Sequence, residues 1–204
     1  MNRTVQSASG SCTPCIIETS AMSVAVGAKF PVGVEVETSH GPVSISQLLS
    51  KGPVIVGFHR MWCPFCQQAA RDLVAVSDRL AAINATVVLV YRESVAEVDN
   101  SCGERGIPFR CVSDQHRALE IAADVGRFSP ARYLAFSPMK VLRAVQSGSR
   151  MGMSSRFLQG RGTFVLDSTG RVAYAHRSAT AADIPNIADV VAAAEAVASG
   201  RSAS

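Results

Sequence analysis

The chain has 204 residues, 48% of them hydrophobic, and a formal net charge of +4. That length suits one domain with some decoration, and that apolar content excludes a disordered chain. The scattered charge is too weak to argue for a nucleic-acid partner, and the longest apolar runs, "PVIVGF" and "ATVVLVY", fall well short of the ~20 residues that span a bilayer.

Residues 1–25 are rich in Ser, Thr and Gly without a clear period and read as a flexible N-terminal extension. They carry no apolar run of the secretory kind, so a cytoplasmic protein is expected. There the six cysteines should stay reduced unless their chemistry is used. "PVGVEVET" followed by "GPVSISQLL" alternates as a small hairpin does. "PVIVGFH" is a continuous run with β-branched residues, the pattern of a strand buried on both faces.

From Cys63 the period changes. Cys66, Ala70, Leu73, Val76, Leu80 and Ile83 form the apolar stripe of one long amphipathic helix, with Gln67, Gln68, Arg71, Asp72 and Arg79 off it. "ATVVLVYRE" is a second buried strand, which completes a right-handed βαβ unit. "SVAEVDNSCGERG" reads as a helix, "IPFRCVSD" as a short strand, and "QHRALEIAADVG" as a helix capped at Gly126. "SPMKVLRAVQSGSRMGMSSRFLQ" starts as a helix and runs into a long Gly/Ser-rich loop. "GTFVLD" and "RVAYAHR" flank a turn, "IPNIADVVAAAEAVA" closes as a helix, and residues 199–204 form a frayed tail. The order predicts an α/β fold: a central mixed sheet with helices on both faces, in a single domain over residues 26–198. In such sheets the chemistry lies at the carboxyl ends of the strands, which is where Cys63 falls.

Cys63 and Cys66 are separated by two residues at the start of a helix, with Pro64 at the first helical position. Free N–H groups and the positive end of the helix dipole favour thiolate over thiol. One sulfur can attack and its neighbour can resolve the product by exchange. Two other readings of the pair remain open. Cys12 and Cys15 could complete a tetrahedral zinc site, although 47 residues separate the two pairs. The pair could also be a structural disulfide, which the expected compartment disfavours.

"GPVIVGFHRMWCPFCQQAARDL", "GIPFRCVSDQHRALEIAADVG" and "LQGRGTFVLDSTGRVAYAHRSATAADIPNI" resemble, in this order, three segments of peroxiredoxin-like proteins of the alkyl hydroperoxide reductase/thiol-specific antioxidant superfamily. The resemblance implies a thioredoxin-like fold and reduction of peroxides through the cysteine pair. It implies no metal or organic cofactor, a thioredoxin-type or low-molecular-weight thiol as reductant, and a homodimer. Arg161 stands where the family keeps an arginine near the reacting sulfur, and Gly162 where thioredoxins keep a cis-proline. Thr163 follows as a substrate-binding candidate. The family motif P-x-x-x-T-x-x-C is altered. Cys63 replaces the threonine and Arg60 the proline, which leaves Cys66 in the register of the attacking cysteine. Cys66 is therefore expected to attack peroxides with Cys63 resolving, and the roles are expected to reverse in disulfide exchange.

His59 is a candidate proton shuttle or a hydrogen-bonded structural residue. Arg60 is a candidate for lowering a cysteine pKa, and Trp62 for a lid that contacts substrate alongside Pro64. Cys102 and Cys111 read as buried apolar residues or as additional resolving cysteines. Three rival functions remain. One is a dithiol–disulfide oxidoreductase. Another is a specialised enzyme acting on a small metabolite, for which "FHRMW" and the loop at 146–160 leave room. The third is a redox-sensing module without turnover.

Overall fold

Val54, Ile55 and Val56 follow Pro53 and are fully buried, as the unbroken apolar run requires. They belong to an interior strand of a seven-stranded sheet in a computed structural model that describes residues 24–49, 52–126, 160–180 and 182–200. The strands are β1 (Glu35–Thr38), β2 (Gly41–Ser44), β3 (Val54–Phe58), β4 (Thr86–Tyr91), β5 (Arg110–Ser113), β6 (Gly162–Leu166) and β7 (Val172–Arg177). The helices are α1 (Pro64–Val74), α2 (Ser77–Ala82), α3 (Val95–Glu104), α4 (Ala118–Ala122) and α5 (Ile187–Ala198).

The strand order is β2-β1-β5-β4-β3-β6-β7. The run β3, β4, β5 is parallel, and the pairings of β1 with β2 and β5, of β6 with β3, and of β7 with β6 are antiparallel. The expected mixed sheet and the late hairpin are both present. Alternation along β3 divides the core. Val54, Val56 and Phe58 face one apolar cluster with Phe164 and Leu119 of α4, while Ile55 faces another with Leu73, Leu80, Val98 and Val190. Helices α1, α2, α3 and α5 therefore cover one face of the sheet, and α4 with the N-terminal hairpin covers the other.

The expected single helix after Cys63 is two. Val76 leaves helical geometry with ψ at 13°, and its N–H turns back to Leu73 O at 3.2 Å before α2 begins at Ser77. Leu73 and Leu80 still share one cluster, so the stripe survives the break. Helix α4 is shorter than expected and ends at Ala122. Asp124 (φ 50°) and Gly126 (φ 73°) then take left-handed conformations in the exit turn, so the glycine lies beyond the cap. The expected N-terminal extension, the helix-and-loop stretch of "SPMKVLRAVQSGSRMGMSSRFLQ" and the frayed tail lie outside the described residues, except for Val24 and Ala25 and for Ser199 and Gly200.

Candidate active site

Three segments converge at the carboxyl end of β3: the loop 59–63 with the first turn of α1, Arg161 at the entrance to β6, and Thr180 with residues 182–184. Cys63 is the N-cap of α1, extended at ψ 119°, and Pro64 occupies the first helical position. Cys66 follows one turn on. Both sulfurs belong to free cysteines and are buried, at 7% and 3% exposure, and Phe65, Ala182 and Ile184 pack on them.

Arg161 is 4% exposed and reaches both sulfurs, with Nη1 3.5 Å from Cys66 Sγ and 3.7 Å from Cys63 Sγ. Its Nη2 donates to Thr180 O at 3.0 Å and to Asp183 O at 3.1 Å, which fixes the guanidinium plane. Burial works against its charge, but the two sulfurs overcome this and raise its pKa. The backbone N–H of Arg60 donates to Cys66 Sγ at 3.2 Å.

The two thiols are driven apart. Cys63 is lowered to about 5, first by a hydrogen bond from the Cys66 thiol and then, against the opposing effect of burial, by Arg161, the Cys66 backbone N–H and Arg60. Burial pushes the Cys66 thiol up, and its bond to Cys63 adds to the rise. The dithiol thus carries one negative charge, centred on Cys63, and one proton, held by Cys66. A buried anion beside a buried guanidinium is a pre-formed nucleophile.

His59 is lowered to about 4 by burial and then by Arg161, so it is neutral at pH 7. Its Nδ1 lies 3.2 Å from Cys66 O and must carry the hydrogen, because a carbonyl can only accept. Through this bond the ring anchors the first turn of α1. Counted strictly from Cys66, the proline of the family motif also falls on His59, so the expectation that Arg60 replaces that proline is corrected by one residue.

Trp62 is 46% exposed and lines a surface cleft with Met61, Glu97 and Arg105 that includes neither sulfur. The structure does not make it a lid over the pair. Gly162 pairs with Phe58 and Thr163 with Gly57 in the β6–β3 ladder, and both border a small hollow with His59, Cys66 and Arg161. A Cβ on Gly162 would come within 3.2 Å of His176 O and of the Phe164 ring, so a side chain there would crowd the strand next to Arg161.

Sequence reasoning missed Gln67 and Arg105. Gln67 looked solvent-facing, yet it is buried, and its Nε2 donates to Met61 O at 3.1 Å. Arg105 Nη2 donates to the same oxygen at 3.2 Å, so two side chains brace the loop in front of Cys63. A polar residue one position after the stripe residue Cys66 was the only signal for Gln67, and for Arg105 there was none.

Cys102 and Cys111 form a disulfide between α3 and β5, with Cα atoms 6.7 Å apart. This replaces the expectation that both are simply free apolar residues. Cys12 and Cys15 lie outside the described residues, as do the methionines of "RMGMSS" and the basic residues from Arg127 to Arg156. Among the described residues, no group of three His, Cys, Asp or Glu side chains could hold a metal ion, and no helix is long and apolar enough to cross a membrane.

Among curated proteins, none matches the chain. Solved structures do. Peroxiredoxin Q of Xanthomonas campestris is 22% identical with a TM-score of 0.61, over 85% of this chain and 98% of that one. The bacterioferritin comigratory protein of the same organism, described for its alkyl peroxide reduction activity, is 20% identical with a TM-score of 0.62, over 85% and 99%. Peroxidoxin BcpB of Mycobacterium tuberculosis is 20% identical with a TM-score of 0.62, over 84% and 97%. At these identities the likeness speaks for the fold, a thioredoxin-like peroxiredoxin architecture. The sequence profile of the AhpC/TSA family matches residues 26–175, most of the chain and the whole β3–α1 cysteine segment with Arg161, and the chain belongs to that family.

Proposed function

We propose that the protein is a thiol peroxidase in which Cys63 attacks and Cys66 resolves. The observation that carries this is a single guanidinium within 3.5 and 3.7 Å of two buried sulfurs, only one of which is anionic. The Cys63 thiolate attacks one peroxide oxygen, an S–O bond forms and the O–O bond breaks. Cys63 becomes a sulfenic acid, and the departing alkoxide or hydroxide takes a proton and leaves as alcohol or water. Arg161 is placed to hold the anion before attack and to face the charge moving onto oxygen. Cys66 then attacks the sulfenic sulfur and expels water, which leaves the Cys63–Cys66 disulfide. Two equivalents of external thiol restore the pair.

These roles reverse those expected from motif register, which made Cys66 the attacker. Burial keeps Cys66 protonated, whereas Cys63 has the helix tip, the Cys66 thiol and Arg161 all favouring its charge. Arg60 and His59 enter the proposal as positioning residues, through the N–H on Cys66 Sγ and the bond to Cys66 O. Gly162 and Thr163 border the hollow beside Arg161, and Pro64 enters as the residue that starts α1 behind Cys63. A cytoplasmic setting and a homodimer, expected from the sequence and the family resemblance, stand within the same proposal, and sedimentation tests the second.

The test is a sulfenic-acid trap after one equivalent of hydrogen peroxide. With Cys66→Ser, dimedone should label Cys63, and with Cys63→Ser turnover should vanish. Labelling of Cys66 at an undiminished rate in Cys63→Ser would return the attack to Cys66. The same acidic Cys63 supports a second reading, exchange with disulfides. Reduction of insulin outpacing peroxide consumption would favour it.

A further inference from the structure

Cys66 forms part of the wall of a cavity of about 410 Å³ bounded by α1, the end of β4 and the segment after α3. Among the described residues, three of its lining side chains are guanidinium groups, Arg60, Arg71 and Arg105, and none is a carboxylate. Ala70, Val74 and Ile107 supply an apolar wall. The neighbouring cleft at Trp62 differs: Glu97 and Glu104 line it beside Arg71 and Arg105, so it has no single sign of charge. The size of the Cys66 cavity is that of a small-molecule site, roughly 300–1,000 Å³. Both cysteines are more than nine-tenths buried as residues, which disfavours the flat approach of a protein dithiol. A small anion with an apolar body matches the lining in sign and shape.

We propose that the occupant is a low-molecular-weight thiol bearing carboxylate groups, which reduces the Cys63–Cys66 disulfide by attacking the Cys66 sulfur from this cavity. This rests on the reading that turnover leaves that disulfide. The incoming thiolate forms a bond to Cys66 Sγ as the S–S bond breaks, and the electron pair leaves on Cys63 Sγ, 3.7 Å from Arg161. A sulfur that leaves as a stabilised thiolate leaves faster, so the direction of attack suits the pair. A second molecule of the same thiol attacks the ligand sulfur of the mixed disulfide. The ligand departs as its own disulfide, and Cys66 takes a proton from solvent. Two thiols are oxidised and one disulfide is reduced, with two electrons transferred.

The disulfide form is prepared with diamide, so that the result does not depend on peroxide reactivity. Its reduction is then followed with glutathione (anionic), 2-mercaptoethanol (neutral), cysteamine (cationic) and thioredoxin, with rates compared per thiolate. Glutathione should exceed cysteamine by tenfold or more and should exceed thioredoxin. The preference should collapse in Arg71→Glu and Arg105→Glu and return in Arg71→Lys. In the unsubstituted protein, raising the ionic strength should shrink the preference without any variant having to fold. Equal rates for the three small thiols, faster reduction by thioredoxin, or a preference indifferent to both charge reversal and salt would each overturn the proposal. A separate measurement, oxidation of the dithiol by hydrogen peroxide, tests the reading beneath it. Slow oxidation with the glutathione preference intact would remove the peroxidase and keep the cavity's role.

Discussion

Cys63 owes its charge to neighbours that can be removed one at a time. Its pKa of about 5 lies far below the ordinary thiol value of ~8.5, so thiolate absorbance at 240 nm should rise with a midpoint near 5. Peroxide consumption should be flat from about pH 6 upward and fall as pH drops through 5. A depressed pKa also stabilises the native state. That contribution is complete above the ordinary thiol pKa and is lost as pH falls through about 5. Arg161→Met should raise the absorbance midpoint by ~1 unit, since an opposite charge at this range is worth 1–3 units, and should slow peroxide consumption by roughly tenfold. An unchanged midpoint would leave the Cys66 thiol and N–H, with Arg60, as the causes. The sequence made the pair legible, because a Cys-x-x-Cys behind a buried strand has few other uses. It did not reveal which sulfur is anionic, because that depends on a proton shared between two side chains and on a guanidinium 98 residues away in the chain.

At the scale of elements, β3 delivers the site by running straight into it. Gly57 is the one position in that strand without a side chain. A Cβ there would come within 2.7 Å of His59 Nε2 and 3.0 Å of His59 Cδ2, and that ring is buried and holds Cys66 O. Gly57→Ala should cost about 1–3 kcal/mol, as overpacking does, read as a fall in the urea midpoint, and it should slow attack by displacing the first turn of α1. Helix α4 depends on its ions instead. Glu120 is buried against a bidentate Arg92, with Arg117 at 3.3 Å, and Asp114 accepts from the Glu120 N–H at 2.8 Å to start the helix. Glu120→Ala leaves the Arg92 charge buried without that partner and should cost about 3–5 kcal/mol. A loss under 1 kcal/mol by the same titration would mean that solvent reaches the arginine. Periodicity found both elements, because burial on a strand or on a helix repeats at 2.0 or 3.6 residues. It could not see the break at Val76 or the early end of α4, since each is a local backbone choice that keeps the apolar spacing in phase.

At the scale of the whole molecule, the cysteines among the described residues divide into two couples in different states. Cys63 and Cys66 are free, while Cys102 and Cys111 are joined across α3 and β5, next to the Arg105–Ile107 wall of the cavity behind Cys66. The sequence could not announce that bond. The two residues lie nine apart on separate elements, and only the docking of α3 on the sheet brings them together. A cross-link closing a loop of about ten residues restricts the unfolded chain by roughly 2–3 kcal/mol, and for a chain of this size each kcal/mol moves Tm by about 2–4 °C. Starting from the state with Cys63 and Cys66 free, reduction with a phosphine should therefore lower Tm by about 5–10 °C in calorimetry, and Cys111→Ser should show the lower Tm at once and no further loss with phosphine. A bond between Cys63 and Cys66 would close a loop of only about four residues and restrict the unfolded chain by about 2 kcal/mol, so the variants are needed to tell the two bonds apart. A phosphine effect that persists in Cys111→Ser but vanishes in Cys63→Ser would assign the stabilising cross-link to Cys63 and Cys66 and leave the 102–111 sulfurs without that role.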